Sequence, residues 1–203
     1  MSPLRFCAHV YVLSKLSILE SLHNHHYVHL DIKPENFVLG TGKMSNQVYL
    51  FDFGLAELFR NPVTCTHTVL VEGVGPIGTV RYSSINSHLG LTLSCRDDLE
   101  SLFYTIVYLA KGGLPWQGIA VQPGRVHHNE ILRIKQVTMA EALCKGLPWP
   151  FIKFIWHVQS LCFEDKPDHQ CLHDVLIQCV HTLSHSQMEE SSFVVPSRVA
   201  ICI

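Results

Sequence analysis

The clearest periodic pattern of apolar residues lies near the start of the chain. Five apolar positions follow one another at three-residue spacing: Val10, Leu13, Leu16, Leu19 and Leu22. This spacing keeps the side chains on one side of a helix, so it predicts an amphipathic helix over residues 7–23. Residues 96–111 are apolar nearly all round, which is typical of a helix at the centre of a fold. Gly112, Gly113 and Pro115 follow and predict its end.

The remaining pattern predicts short strands and further helices. Residues 37–39 and 48–51 indicate two strands joined by a polar turn. Residues 55–95 show little periodicity and many Gly, Thr and Ser, which predicts a long ordered loop of the kind that is usually functional. We therefore expect a mainly α fold with one or two short β-hairpins, as one domain over residues 1–183 and a tail over 184–203. Three more helices are expected at residues 140–144, 151–162 and 168–183.

Composition narrows the class of protein. The 203 residues are 47% hydrophobic and 16% charged, which is ample for the core of one domain. The net charge of −2 gives no electrostatic case for binding nucleic acid. No apolar run reaches about 18 residues, and residues 1–5 lack the pattern of a secretory signal. We expect a soluble monomer, cytoplasmic or nuclear, with neither nucleic acid nor a membrane as partner.

Cysteine and histidine raise the question of a metal site, because the chain has 8 Cys and 14 His. No C-x-x-C pair occurs, and reduced, buried cysteines are expected where no secretory signal is present. Six possible ligands are close in sequence: Cys162, His169, Cys171, His173, Cys179 and His181. Apolar residues recur at helical spacing through the same segment, so we favour an amphipathic helix with His169 and His173 on its more polar side.

A polar loop and the predicted hairpin carry residues suited to phosphoryl transfer. The loop is H-L-D-I-K-P-E-N at residues 29–36, and D-F-G follows the second strand at 52–54. Phosphoryl transfer needs metal ions to neutralise phosphate charge and a carboxylate to orient the attacking hydroxyl. Asn36 and Asp52 supply oxygen ligands for Mg²⁺ from two sides of a hairpin, and Asp31 can accept the hydroxyl proton. Taken alone, however, Asp31 and Asn36 are also ordinary turn residues.

The order H-x-D-x-K-P-x-N followed by D-F-G resembles that of protein kinases. Residues 78–86, G-T-V-R-Y-S-S-I-N, are similar to the casein kinase 1 family, which carries S-I-N where other kinases have A-P-E. The resemblance covers about residues 7–183 and continues in four segments: RDDLESL at 96–102, LPWQG at 114–118, LCKG at 143–146 and DKPD at 165–168. It implies the C-terminal lobe of a Ser/Thr protein kinase, which transfers the γ-phosphate of ATP to protein with Mg²⁺.

The resemblance assigns a catalytic role to four matching residues. Asp31 becomes the catalytic base. Lys33 contacts the phosphate and forms the nucleotide site together with Asn36 and Asp52. Asn36 and Asp52 are also the implied Mg²⁺ ligands.

Supporting and substrate-binding residues follow from the same resemblance. His29 supports the catalytic loop, and Asp98 would hold the loop by accepting backbone hydrogen bonds. The alternative for Asp98 is a favourable charge at the start of a helix. An anion site for acidic or phospho-primed protein substrates would use Arg81 and Gly118, with His127 where the family has Lys. Because His is mostly neutral above pH ~6.5, we expect this preference to weaken as the pH rises.

Other family features are not found in the sequence. It contains no V-A-I-K, and six residues, 1–6, precede the first predicted helix. The G-x-G-x-x-G at residues 73–78 lies in the segment after D-F-G and is not followed by a strand-and-Lys pattern. We therefore expect the N-terminal lobe to be absent from this chain and turnover by the chain alone to be negligible. Two alternatives stay open: a pseudokinase fragment that binds proteins, and a product that exposes apolar surface and folds badly. Leu30 replaces the Arg that can pair with an activation-loop phosphate, so control by that route is not expected.

Overall fold

The protein is seen in a computed structural model that describes residues 3–45, 47–119 and 127–185. Within these ranges it is mainly helical, with two small antiparallel sheets. The helices are α1 (Pro3–Asn24), α2 (Ile85–His88), α3 (Cys95–Lys111), α4 (His127–Val137), α5 (Ala140–Leu143), α6 (Pro150–Ser160) and α7 (His169–His185). The strands are β1 (Tyr27–Val28), β2 (Phe37–Leu39), β3 (Val48–Leu50) and β4 (Glu57–Leu58).

Helix α3 lies at the centre of the fold, as its apolar sequence predicts. Helices α1 and α6 both pack against it, and α7 packs against α1 and α6. Leu99 and Phe103 are completely buried, and the ring of Phe103 stacks on that of Phe154 from α6 at a centroid distance of 6.0 Å. The helix begins where Asp97 accepts a hydrogen bond from the Ser94 backbone N–H, 2.8 Å away. Non-directional burial of this kind is the main stabilising contribution to the fold.

The two sheets frame one loop. Strands β2 and β3 form the predicted hairpin, with Phe37 opposite Leu50. Strands β1 and β4 pair antiparallel, with Tyr27 opposite Leu58, although about 30 residues separate them. The loop between β1 and β2 is therefore held at both ends. The prediction of a continuous loop over residues 55–95 is wrong in part, because it contains β4 and the short helix α2.

Helix α4 is absent from the sequence-based prediction. Among its residues 128–137, the buried ones are Ile131 and Lys135, so no apolar stripe marks it. Helices α5, α6 and α7 lie within about two residues of their predicted bounds. The predicted tail over residues 184–203 begins inside α7 and, from residue 186, lies outside the described residues.

The placement of His169 corrects another expectation. It is buried, with 5% of its surface exposed, rather than lying on the polar side of α7. Its partner is His23 of α1, which reaches it from a distant part of the sequence. Within the described ranges, no helix has both the length and the apolar character needed to cross a lipid bilayer.

Candidate active site

Asp31 lies in the loop between β1 and β2 and is the most heavily bonded side chain there. Its Oδ1 accepts hydrogen bonds from the backbone N–H and the hydroxyl of Thr79, at 2.8 and 2.7 Å. Its Oδ2 lies 2.5 Å from Lys33 Nζ. Burial acts to raise the pKa of Asp31, but the bonds from Lys33 and Thr79 outweigh it and lower the pKa below its ordinary value. Asp31 is therefore a carboxylate at neutral pH.

Gly78 allows the segment that carries Thr79 to approach the loop this closely. Its φ is +82°, and a Cβ at this position would lie 2.3 Å from the carbonyl oxygen of Leu30. Only glycine adopts this backbone conformation without strain and leaves room for the carbonyl. Lys33 Nζ also donates to Thr79 Oγ1 at 3.3 Å, so the two segments are joined at two points.

Asn36 and Asp52 lie at the same end of the β2–β3 hairpin. The backbone N–H of Phe51 donates to the carbonyl of Asn36 at 2.9 Å, which places Asp52 one residue away. Asn36 is buried, and its Nδ2 donates to the Asp31 carbonyl at 2.9 Å. Asp52 has a left-handed backbone, with φ +61°, and its exposed carboxylate accepts a long bond from the Gly54 N–H. The side-chain oxygen of Asn36 and the carboxylate of Asp52 are thus available for a cation.

Asp98 of α3 fixes the backbone of this loop through hydrogen bonds. Its two oxygens accept the backbone N–H groups of His29 and Leu30, at 2.7 and 2.9 Å. Leu30 has a φ of +68°, an uncommon conformation for leucine, and these bonds help to hold it. Asp98 also lies in the first turn of α3 together with Asp97, which accepts the backbone N–H of the residue before the helix, so the favourable charge at the helix start accompanies these bonds to the loop. His29 Nε2 lies 3.0 Å from the Phe51 carbonyl and ties the loop to the hairpin.

A cavity of about 730 Å³ opens beside Lys33. Arg81 and Gly118 both line it, so the structure brings together these two residues of the predicted anion site. His127 begins α4, and its side chain lies outside the described residues. Glu35 also lines the cavity and is exposed. Sequence reasoning did not single out this carboxylate, although it stands inside the quoted loop motif. Its negative charge opposes the binding of anions.

The family model of the protein kinase domain matches residues 7–139, about two thirds of the chain. The chain belongs to the protein kinase domain family. Membership supports a kinase-like function, with protein substrates and with ATP and Mg²⁺ as the reagents that the family generally uses. The matched range contains the whole loop over residues 29–36, the hairpin, α3 and the residues that line the large cavity.

The kinase-domain residues present fit a magnesium ion held jointly with phosphates. Asn36 uses its amide nitrogen for the Asp31 carbonyl, which leaves its oxygen for a cation, and Asp52 adds a carboxylate. Oxygen donors of this kind suit Mg²⁺, which usually takes one or two protein ligands and completes its shell with water and substrate phosphates. No group of three or more His, Cys, Asp or Glu side chains in the described ranges could hold a metal by itself.

This kinase domain also contains a pair of buried histidines that the sequence pattern did not indicate. His23 Nε2 lies 3.1 Å from Asp98 Oδ2, and its Nδ1 lies 3.2 Å from His169 Nε2. Burial acts to lower the pKa of His23, but Cys95 and Asp98 raise it to about 10. Burial and the charge of His23 lower the pKa of His169 to about 3. A protonated His23 therefore donates to both Asp98 and a neutral His169, and so supports the residue that bonds the backbone of His29 and Leu30.

Proposed function

We propose that this kinase domain is the large, C-terminal lobe of a casein kinase 1-like Ser/Thr protein kinase. The observation that carries the proposal is the bonding of Asp31, which joins a catalytic loop fixed by Asp98 to the segment at Thr79. The casein kinase 1 assignment is supported by the S-I-N segment at residues 84–86, whose Asn86 donates to Asp97 Oδ1 at 2.9 Å. This contact ties helix α2 to the start of α3.

The proposed reaction is attack by a substrate hydroxyl oxygen on the γ-phosphorus of ATP, with release of ADP. Asp31 accepts a hydrogen bond from the attacking hydroxyl and orients it, and the proton passes to this carboxylate as the new P–O bond forms. Lys33 stabilises negative charge on the transferred phosphate. The residue before it, Ile32, is buried and anchors this part of the loop in the core. Asn36 and Asp52 would hold Mg²⁺, which supplies neutralisation of the phosphate charge.

We further propose that the 203-residue chain alone turns over negligibly. The family holds the ATP phosphates with a G-x-G-x-x-G loop and a V-A-I-K lysine. The sequence contains no V-A-I-K, and its G-x-G-x-x-G at residues 73–78 follows the D-F-G motif instead of lying upstream with a strand and lysine behind it. Removal of one preorganised donor typically costs about 2.7–4 kcal/mol of transition-state stabilisation. Loss of nucleotide positioning forfeits part of the roughly 7–11 kcal/mol available from proximity and orientation. The two losses together are large enough to suppress turnover below ordinary detection.

The proposed substrate is a protein segment, acidic or already phosphorylated near the acceptor residue. Arg81 and Gly118 line the cavity beside Lys33 and support an anion site there. Glu35 lines the same cavity, which supports a weaker preference for anions than a site with cations alone would have.

Nucleotide binding and phosphate transfer by the purified chain test this proposal. Calorimetry with ATP should show Mg²⁺-dependent binding in the wild type and in Asp31→Asn, and loss of binding in Asp52→Asn. The exposed Asp174 on α7 provides the matched control, Asp174→Asn, which should bind as the wild type does. Absence of Mg²⁺-dependent binding in the wild type contradicts the kinase proposal. Transfer of radiolabelled phosphate that Asp31→Asn abolishes contradicts only the proposed negligible turnover.

The alternative is a pseudokinase fragment that acts as a protein-binding module. The cavity of about 730 Å³ favours it, because Arg81 in its wall offers a cation to a phosphorylated segment of a partner protein. Binding of a phosphoserine peptide by a wild-type chain that binds no ATP would establish this alternative.

A further inference from the structure

The wall of the substrate cavity is held from behind through its backbone carbonyls. Residues 80–82 line the cavity, and the chain continues from them into α2. Lys135 of α4 donates from Nζ to the carbonyls of Val80 and Ser83, at 3.1 and 2.5 Å. The indole N–H of Trp116 donates to the carbonyl of Arg81 at 2.8 Å. Three carbonyls of four consecutive residues are therefore bonded to two side chains.

Aromatic and charged side chains surround the ammonium group of Lys135. The residue is buried, with 3% of its surface exposed. Its Nζ lies 4.9 Å from the ring centroid of Tyr104 and 5.2 Å from that of Trp116, so the cation faces two aromatic rings. Glu100 accepts the Tyr104 hydroxyl at 2.6 Å and the Ile85 backbone N–H at 3.0 Å. The same set of residues thus fixes both ends of the segment from Val80 to Ile85.

Helix α4 contributes to the cavity in two ways. Ile131 lines the cavity directly. Lys135 follows four residues later on the same face of the helix and reaches behind the wall. A shift of α4 would therefore move both Ile131 in the cavity lining and Lys135 behind the cavity wall, since one helical turn carries both residues.

We propose that Lys135 is a positioning residue for the substrate site: its ammonium group fixes residues 80–83 and thereby places Arg81 in the cavity and Thr79 against Asp31. The effect on substrate rests on the function proposed above, whereas the effect on the backbone does not. A role in packing alone would be served better by an apolar side chain, because burial of a lysine is unfavourable unless its charge is used. Burial lowers the pKa of Lys135 to about 7, opposed by the charge of Glu100.

Hydrogen exchange and peptide binding in three variants test the proposal. Lys135→Met keeps an unbranched side chain that is one atom shorter and removes the cation, and Lys135→Arg restores the cation. Lys153→Met alters an exposed lysine on α6 as the matched control. We expect Lys135→Met to accelerate exchange of the amides of residues 82–85 about tenfold or more. Its affinity for an acidic phosphoserine peptide should fall by a similar factor. Lys135→Arg should recover most of both effects, and Lys153→Met should change neither.

The two readouts separate the two proposals. Faster exchange in Lys135→Met, together with no peptide binding by the wild type, would leave the positioning role standing and contradict the proposed substrate site. Unchanged exchange at residues 82–85 in a folded Lys135→Met overturns the positioning role. If that variant does not fold, Lys135→Gln removes the charge of the ammonium group and keeps an uncharged N–H donor on a shorter side chain. It should accelerate exchange in the same segment, and unchanged exchange there overturns the proposal equally.

Discussion

Replacement of Asp98 with asparagine would test how the catalytic loop is held. Asp98 is 1% exposed and accepts bonds from two backbone N–H groups and from His23. Asparagine keeps the shape, but it loses the charge and turns an NH₂ group towards neighbours that are themselves donors. A hydrogen bond to a charged group contributes about 1.5–3 kcal/mol. Removal of one partner from a buried ion pair typically costs about 3–5 kcal/mol. We therefore expect the free energy of unfolding to fall by about 3–5 kcal/mol.

The dependence of this loss on pH identifies its cause. The pKa of His23 is raised from 6.5 to about 10 in the folded protein. Its contribution to stability is therefore complete below about pH 6.5 and disappears as the pH rises through about 10. The full shift corresponds to at most about 5 kcal/mol at 1.36 kcal/mol per pKa unit. Without Asp98 the pKa of His23 should fall, so the difference in stability between wild type and Asp98→Asn should shrink from pH 6.5 to pH 10.

Urea unfolding followed by far-ultraviolet circular dichroism at pH 6.5, 8 and 9.5 measures this difference. At pH 6.5 the midpoint of thermal unfolding should also fall by about 6–20 °C, since 1 kcal/mol corresponds to roughly 2–4 °C at this chain length. Asp174→Asn, on the exposed face of α7, should leave stability within about 0.5 kcal/mol of the wild type. A loss in Asp98→Asn below about 1 kcal/mol, or one that does not change with pH, would refute this account of the loop.

Two further predictions concern the close approach at Gly78 and the predicted anion site. Gly78→Ala should destabilise the fold by more than Gly73→Ala, by about 1–3 kcal/mol in thermal unfolding, because both have positive φ but only at Gly78 would a Cβ meet a backbone oxygen. Equal losses in the two variants would contradict this. His127→Ala should abolish a fall in phosphopeptide affinity between pH 6 and 8 that the wild type shows in fluorescence titrations. A wild-type affinity that does not change over this range would show that His127 takes no part in the site.

The sequence predicts the features that depend on neighbouring residues. The helix α1 and the central helix α3 follow from apolar spacing within one segment, and the β2–β3 hairpin follows from two short strands and a polar turn. The loop with Asp31 and Asn36 could be singled out because the chemistry needs these residue types at fixed spacing. Their arrangement in space, in which the side-chain amide of Asn36 donates to the Asp31 carbonyl, is a result of the structure.

The features that sequence reasoning missed depend on distant partners. Helix α4 lacks a continuous apolar stripe, because one of the two buried positions among its residues 128–137 is Lys135, which bonds the carbonyls of residues 80 and 83. His169 looked like a polar surface residue, since its partner His23 lies 146 positions away. Strand β4 is two residues long and forms only because β1 is held beside it. None of these partners can be found from periodicity within one window.

The crowding around Asp31 restricts the direction of approach to it. An ionised carboxylate offers about four acceptor positions in total. Two are taken by the N–H and O–H of Thr79 and one by Lys33. A single lone pair is left, so under the proposed role of Asp31 as base an incoming alcohol can meet the carboxylate along one trajectory only. The pairing around Asp31 therefore acts as a stereochemical filter that is complete before any substrate arrives, and a competing water molecule would have to occupy the same position.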